Sequence, residues 1–137
     1  MNDVSINNKR KELFTMVQRA GYTRIDPECV NLCVALNTLN GITTQESCCG
    51  HGDDPFRIWF VSDTIESLAS LMEILAKTGK HNVTSPWTVT VIIEYWSHKR
   101  RAHPVVLLLE GPVGGYKEAE DVATLILEHC NEQKENK

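Results

Sequence analysis

A small α+β domain, with a mainly antiparallel four-stranded sheet and helices chiefly on one face in a two-layer arrangement, is the fold class predicted by three features of this sequence. The chain has 137 residues, long enough for one hydrophobic core and short for two. Four stretches carry strand character, at 42–48, 56–61, 88–96 and 105–109, and they fall into two pairs. Helical periodicity precedes each pair and follows the second, giving the order helix, strand, strand, helix, strand, strand, helix. The single domain is expected to span 1–130, with the polar stretch 131–137 as a disordered tail.

Leu13, Met16, Val17 and Ala20 fall at helical spacing before Gly21, which predicts a first packing helix over about 9–19. For the next helix, Asp26 is placed to cap and Pro27 to occupy the first position, with Val30, Cys33, Val34 and Asn37 following at three- and four-residue steps. Asn40-Gly41 is its stop signal. From Ile42 to Cys48 the alternation is weak. It predicts a polar strand or partly extended loop with Ile42, Thr44, Glu46 and Cys48 on one side and Thr43, Gln45, Ser47 and Cys49 on the other. After Gly50-His51-Gly52, the run Phe56 to Val61 reads as a strand broken by one arginine, pairing back antiparallel on the first.

Asp63 followed by Glu66 fits a capping box, and Ile65, Leu68, Ala69, Met72, Leu75 and Ala76 form the expected apolar stripe of a helix ending near Gly79. Thr88 to Trp96 is strand-forming, with Val89, Val91, Ile93 and Tyr95 on one face, and Val105 to Leu109 reads as a more fully buried strand. A basic connection, 97–104, joins them. Gly111-Pro112-Val113-Gly114-Gly115 is expected to end the last strand, and Ala119, Val122, Leu125, Ile126 and Cys130 make the apolar side of a closing helix.

No apolar run approaches the roughly 20 residues that span a bilayer, and the first 15 residues lack the apolar core of a signal peptide. Five cysteines, at 29, 33, 48, 49 and 130, are an odd number in a chain with an adequate core, so free thiols in a reducing cytoplasm are expected. Fourteen Lys and Arg against eighteen Asp and Glu give a net charge of −4, which argues against extended nucleic acid as a partner but leaves room for a small anion at a local cation.

The richest chemistry lies in 43–54, where Ser47, Cys48, Cys49, His51, Asp53 and Asp54 surround two glycines. Gly50 and Gly52 allow a tight turn that exposes His51 and turns amide hydrogens inward, an anion-binding concavity. Ser47 and His51 would add hydrogen bonds. Arg57, on a face shared with Trp59, is the expected anion contact, its alternative being an internal ion pair with Glu46, Asp53 or Glu94. Cys48, Cys49 and His51 are also the candidates for a thiol nucleophile with its base, or for part of a zinc site, although adjacent cysteines on extended backbone point apart and no ligand set follows. Tyr95, Trp59, Trp87 and Trp96 are candidates to stack on a base or to fill the core, and Lys99, Arg100 and Arg101, flanked by His98 and His103, to admit phosphate or to form a solvated turn.

Gly41-Ile42-Thr43-Thr44, Ser47-Cys48-Cys49-Gly50-His51-Gly52 and Pro55-Phe56-Arg57-Ile58-Trp59-Phe60 together resemble a pattern of small uncharacterised phage and prophage proteins over residues 28–62. Remotely, the Ser-Cys-x-Gly portion is similar to the third wybutosine-synthesis protein family, which implies an S-adenosylmethionine pocket and a transfer RNA substrate. Here Cys49-Gly50-His51 stands where that family has Ser-Gly-Arg. The phage resemblance implies a small counter-defence protein, acting in the host cytoplasm, that sequesters a nucleotide signal. The sequence therefore leads to nucleotide or anion binding, in a pocket that a homo-oligomer could complete. A metal- or thiol-dependent enzyme acting on a nucleotide or RNA, and a protein-interaction module, are the alternatives.

Overall fold

Pro27 opens the first described helix, α1 (Pro27–Thr38), its fixed φ suiting the first turn, where an amide hydrogen has no partner in any case. The computed structural model describes residues 25–78, 83–93 and 105–135. The expected helix at 9–19, the end of the third strand at 94–96 and the basic connection at 97–104 lie outside the described residues. Leu39 turns extended after α1, and the chain returns at once as strand β1 (Ile42–Cys48). This short connection lays β1 antiparallel along α1, so that the end of the strand comes back to the start of the helix.

Strand β2 (Pro55–Ser62) follows a single 3-10 turn at Gly50–Gly52, helix α2 (Ile65–Ala76) comes next, and strands β3 (Thr88–Ile93) and β4 (Val105–Val113) precede the closing helix α3 (Tyr116–Glu135). The sheet order is β1-β2-β4-β3 with every neighbouring pair antiparallel, as the fold-class expectation requires. Phe56, Ile58 and Phe60 of β2 and Leu109 of β4 are fully buried and share one core with Leu32 and Leu36 of α1 and Val122 and Ile126 of α3. Each such side chain contributes about 2 kcal/mol of transfer free energy, so this face of the sheet, under the helices, holds the fold together.

Five local expectations are corrected. Gln45 is an extra residue: Thr44 pairs with Phe60 and Glu46 with Trp59, so β1 bulges between them. The bulge reverses the alternation, placing Ser47 opposite the buried Ile58, and Glu46 and Cys48 opposite Trp59 and Arg57 on the outer face. Asn37 supports it by accepting from the Thr44 amide at 3.2 Å and donating to the Thr44 hydroxyl at 2.8 Å. In α2 the cap is Thr64 rather than Asp63, its hydroxyl accepting from the Ser67 amide at 3.1 Å. Ser67 also donates to the Asn40 carbonyl, and this anchor turns the helix so that Ser67, Leu71, Ile74 and Leu75 are buried while Ile65 and Met72 are 82% and 45% exposed.

Strand β4 does not end at Leu109. Residues 111–113 continue it against β2 alone, because β3 begins at Thr88 opposite Glu110. Pro112 is tolerated there at a bulge, where one side of the strand has no partner in the sheet. Finally, α3 extends to Glu135 through the stretch expected as a tail, which is rich in the helix formers Glu, Gln and Lys.

Candidate functional site

Two turns of backbone bring the candidate residues together. The α1–β1 return sets Asp26 beside Cys49, whose amide donates to Asp26 Oδ2 at 3.0 Å. Asp26 thus makes no side-chain cap of its own helix, contrary to the expectation, and ties the helix start to the glycine turn instead. The β1–β2 hairpin then sets Cys48 opposite Arg57.

Within the turn, His51 has φ 52° and ψ 27°, a left-handed conformation uncommon outside glycine but one that histidine adopts more readily than most residues. The ring is 70% exposed, with Nε2 at 3.7 Å from Asp26 Oδ2 and Nδ1 at 3.6 Å from Cys49 Sγ. Gly50 donates to Cys48 Sγ at 3.4 Å, and its carbonyl accepts from the amides of Asp53 and Asp54, both at 3.0 Å. Gly50 therefore shapes the turn and has no free amide to offer an anion, which corrects its expected ligand-binding role. Gly52 remains at the open surface of the turn with φ +86°.

Ser47 is also relocated. Its hydroxyl faces the thiols of Cys29 and Cys33 on the helix side of the sheet, away from His51. Burial pushes the Cys33 thiol up to about 12 and Cys29 higher still, with Cys33 adding to the rise at Cys29. These two cysteines are protonated packing groups. Cys49 is raised by burial in the first place, opposed by a hydrogen bond from the His51 backbone and reinforced by Asp26. A buried thiol beside a carboxylate is a poor nucleophile, so Cys49 is not poised for thiolate chemistry. Cys48, half-exposed on the outer face, is the accessible sulfur of the pair. Brief iodoacetamide treatment of the folded, chelator-treated protein, followed by peptide mapping, is expected to alkylate Cys48 faster than Cys49 by about tenfold or more. Equal rates would mean that the turn opens freely.

Arg57 shares the outer face with Trp59, as expected, but its partner is a residue that sequence reasoning did not consider. Arg57 Nε donates to Glu110 Oε2 at 2.9 Å. Glu110 lies opposite Arg57 across the β2–β4 pairing, and only the sheet order could have revealed it. Asp54 and Cys48 are the next groups near the guanidinium. Trp59, half-buried, pairs with Leu108 in the adjacent row, which continues to Thr90. Trp87 is a core residue, its ring 5.4 Å from that of Phe56, and is thereby removed from the base-stacking candidates. Tyr95, Trp96 and the 98–103 cluster lie outside the described residues.

Cys48 thus stands opposite Arg57 and within reach of Asp26 and His51 at one end of the sheet, Glu110 pairs with Arg57, and Ser47 and Cys49 turn inward. Among the described residues no helix is long and apolar enough to cross a membrane. Comparison of the chain with protein-family models, with curated proteins and with solved structures gave no match.

Proposed function

We propose that the protein binds a small anionic ligand, a nucleotide by class, on the outer sheet face beside the histidine turn. The observation that carries this reading is the Cys48–Arg57 pairing, which holds a guanidinium next to the exposed His51 turn. The bond to Glu110 uses one of the five guanidinium N–H groups and orients the fork, and an anionic oxygen would engage the others. His51 and the Gly52 surface of the turn would complete the polar contacts. Trp59, one row along the same face, offers an indole on which a base can stack.

The resemblance to phage proteins supports a counter-defence role in which a nucleotide signal is sequestered. The sheet edges support assembly: β1, which carries Cys48, is an outer strand, so a second copy pairing along it would extend the sheet beside the site. Calorimetric titration with a panel of linear and cyclic nucleotides tests the binding. Loss of a charged hydrogen bond costs about 1.5 to 3 kcal/mol, so Arg57→Gln is expected to weaken the bound nucleotide by about 10- to 100-fold while the fold is retained. Unchanged affinity in the folded variant removes Arg57 from the site. Recovery of intact nucleotide after denaturation supports sequestration, and recovery of an altered one moves the assignment to an enzyme.

A further inference from the structure

Asp26 Oδ, Cys48 Sγ and a ring nitrogen of His51 lie within 4.8 Å of one another. They come from three separate places in the chain: the residue before α1, the last residue of β1, and the left-handed position of the turn. We propose that these three side chains form a zinc site whose fourth position is open to solvent.

A tetrahedral zinc ion with bonds of about 2.0 to 2.2 Å to nitrogen and oxygen and about 2.3 Å to one sulfur has ligand atoms roughly 3.3 to 3.6 Å apart, so the cluster needs to contract by roughly 1.5 Å at most. The His51 Nε2 to Asp26 Oδ2 separation of 3.7 Å is already close to that range. One sulfur, one imidazole nitrogen and one carboxylate oxygen make a mixed set that suits zinc better than calcium or magnesium, which take oxygen alone. The ligand charges of a carboxylate and a thiolate match a divalent ion, and metal binding releases the thiol proton to solvent.

The groups around the three ligands have the form of a supporting shell. With zinc on Nε2, the His51 Nδ1–H faces Cys49 Sγ at 3.6 Å, which fixes the ring orientation. The Cys49 amide holds Asp26 Oδ2 at 3.0 Å, and the Gly50 amide holds Cys48 Sγ at 3.4 Å. Cys49 is therefore an orienting residue and not the fourth ligand: it is buried, and it meets the opposite edge of the imidazole. Three protein ligands with an exposed histidine leave one position for water, the arrangement of zinc sites that bind or activate a further ligand. Arg57, the cation paired with Cys48, is compensated by Glu110 and does not oppose the ion.

The proposal does not depend on the nucleotide reading, and its test uses metal alone. The full chain, reduced and stripped with chelator, is titrated with zinc against a chromogenic chelator and, separately, with cobalt(II), whose thiolate charge-transfer band reports sulfur ligation. One zinc per chain is expected, with the cobalt–thiolate band lost in Cys48→Ser and kept in Cys49→Ser. His51→Gln and Asp26→Asn are each expected to lower zinc affinity by about 10- to 100-fold or more, and Arg57→Gln to leave it unchanged. Circular dichroism confirms that each variant is folded. Absence of stoichiometric zinc in the wild-type chain overturns the site, as does a cobalt band that survives Cys48→Ser and disappears in Cys49→Ser. Because Arg57 is spared in the metal assay and required in the nucleotide assay, failure of either idea is read separately.

Discussion

Gly50→Ala is expected to lower the stability of the chain by about 2 to 4 kcal/mol in urea unfolding, roughly twice the effect of Gly52→Ala. The two glycines share a left-handed φ, +83° and +86°, so each replacement carries the same conformational penalty of about 1 to 2 kcal/mol. They differ in their surroundings. A β-carbon on Gly50 would sit 3.0 Å from the Pro55 carbonyl oxygen and 3.2 Å from its carbon, whereas one on Gly52 meets nothing within 4 Å. Pro55 is the first residue of β2 and is paired with Val113, so it cannot yield without disturbing the strand that carries Arg57. Equal losses in the two variants would show that the contact with Pro55 relaxes at no cost and that only the backbone angle matters.

The same turn shows how far the site was legible in the sequence. Its location was plain, because glycines around a histidine announce a tight connection, and the shared face of Arg57 and Trp59 follows from alternation alone. The roles within it were less accessible. Ser47 is a ligand candidate because it adjoins the turn in sequence; regular alternation sets it apart from the buried Thr44, and a single extra residue at Gln45 reverses that relation. Gln45 carries no mark of a bulge; the feature that stabilises it is Asn37, on another element, bonding to Thr44. Asp26 had a sufficient local explanation as a helix cap, which concealed its contact with Cys49 and His51. Glu110 is 53 residues from Arg57 and becomes its partner only when β4 inserts between β2 and β3.

Helix α2 illustrates the limit in the fold itself. Its sequence supports more than one apolar stripe, since Ile65, Leu68, Met72 and Leu75 are spaced as well as Leu68, Leu71, Ile74 and Leu75. The choice between them is made by polar contacts: Ser67 bonds to Thr64 and to the Asn40 carbonyl, and this pins the second stripe inward. Hydrophobic periodicity established that a helix exists; the hydroxyl anchor established which side of it is buried.

Gly111→Ala is expected to be strongly destabilising as well, by about 1 to 3 kcal/mol or more, through overpacking alone. The sequence marked this glycine as the end of a strand, yet it lies inside β4 and serves the core by having no side chain. A β-carbon there would fall 2.7 to 2.8 Å from Cη2, Cζ2 and Cε2 of Trp87. The indole cannot swing away, because it is buried and packed against Phe56 with ring centroids 5.4 Å apart. If that collision is the cause, shrinking the indole must relieve it. Trp87→Leu alone should destabilise by removing buried ring surface, but Gly111→Ala added to Trp87→Leu should cost less than Gly111→Ala in the wild-type chain, with a favourable coupling of about 1 to 2 kcal/mol in a double-mutant cycle. Strict additivity would mean that the alanine is rejected by the backbone of β4 and not by the ring, and Gly111 would then belong with the bulge at Pro112 instead of with the core.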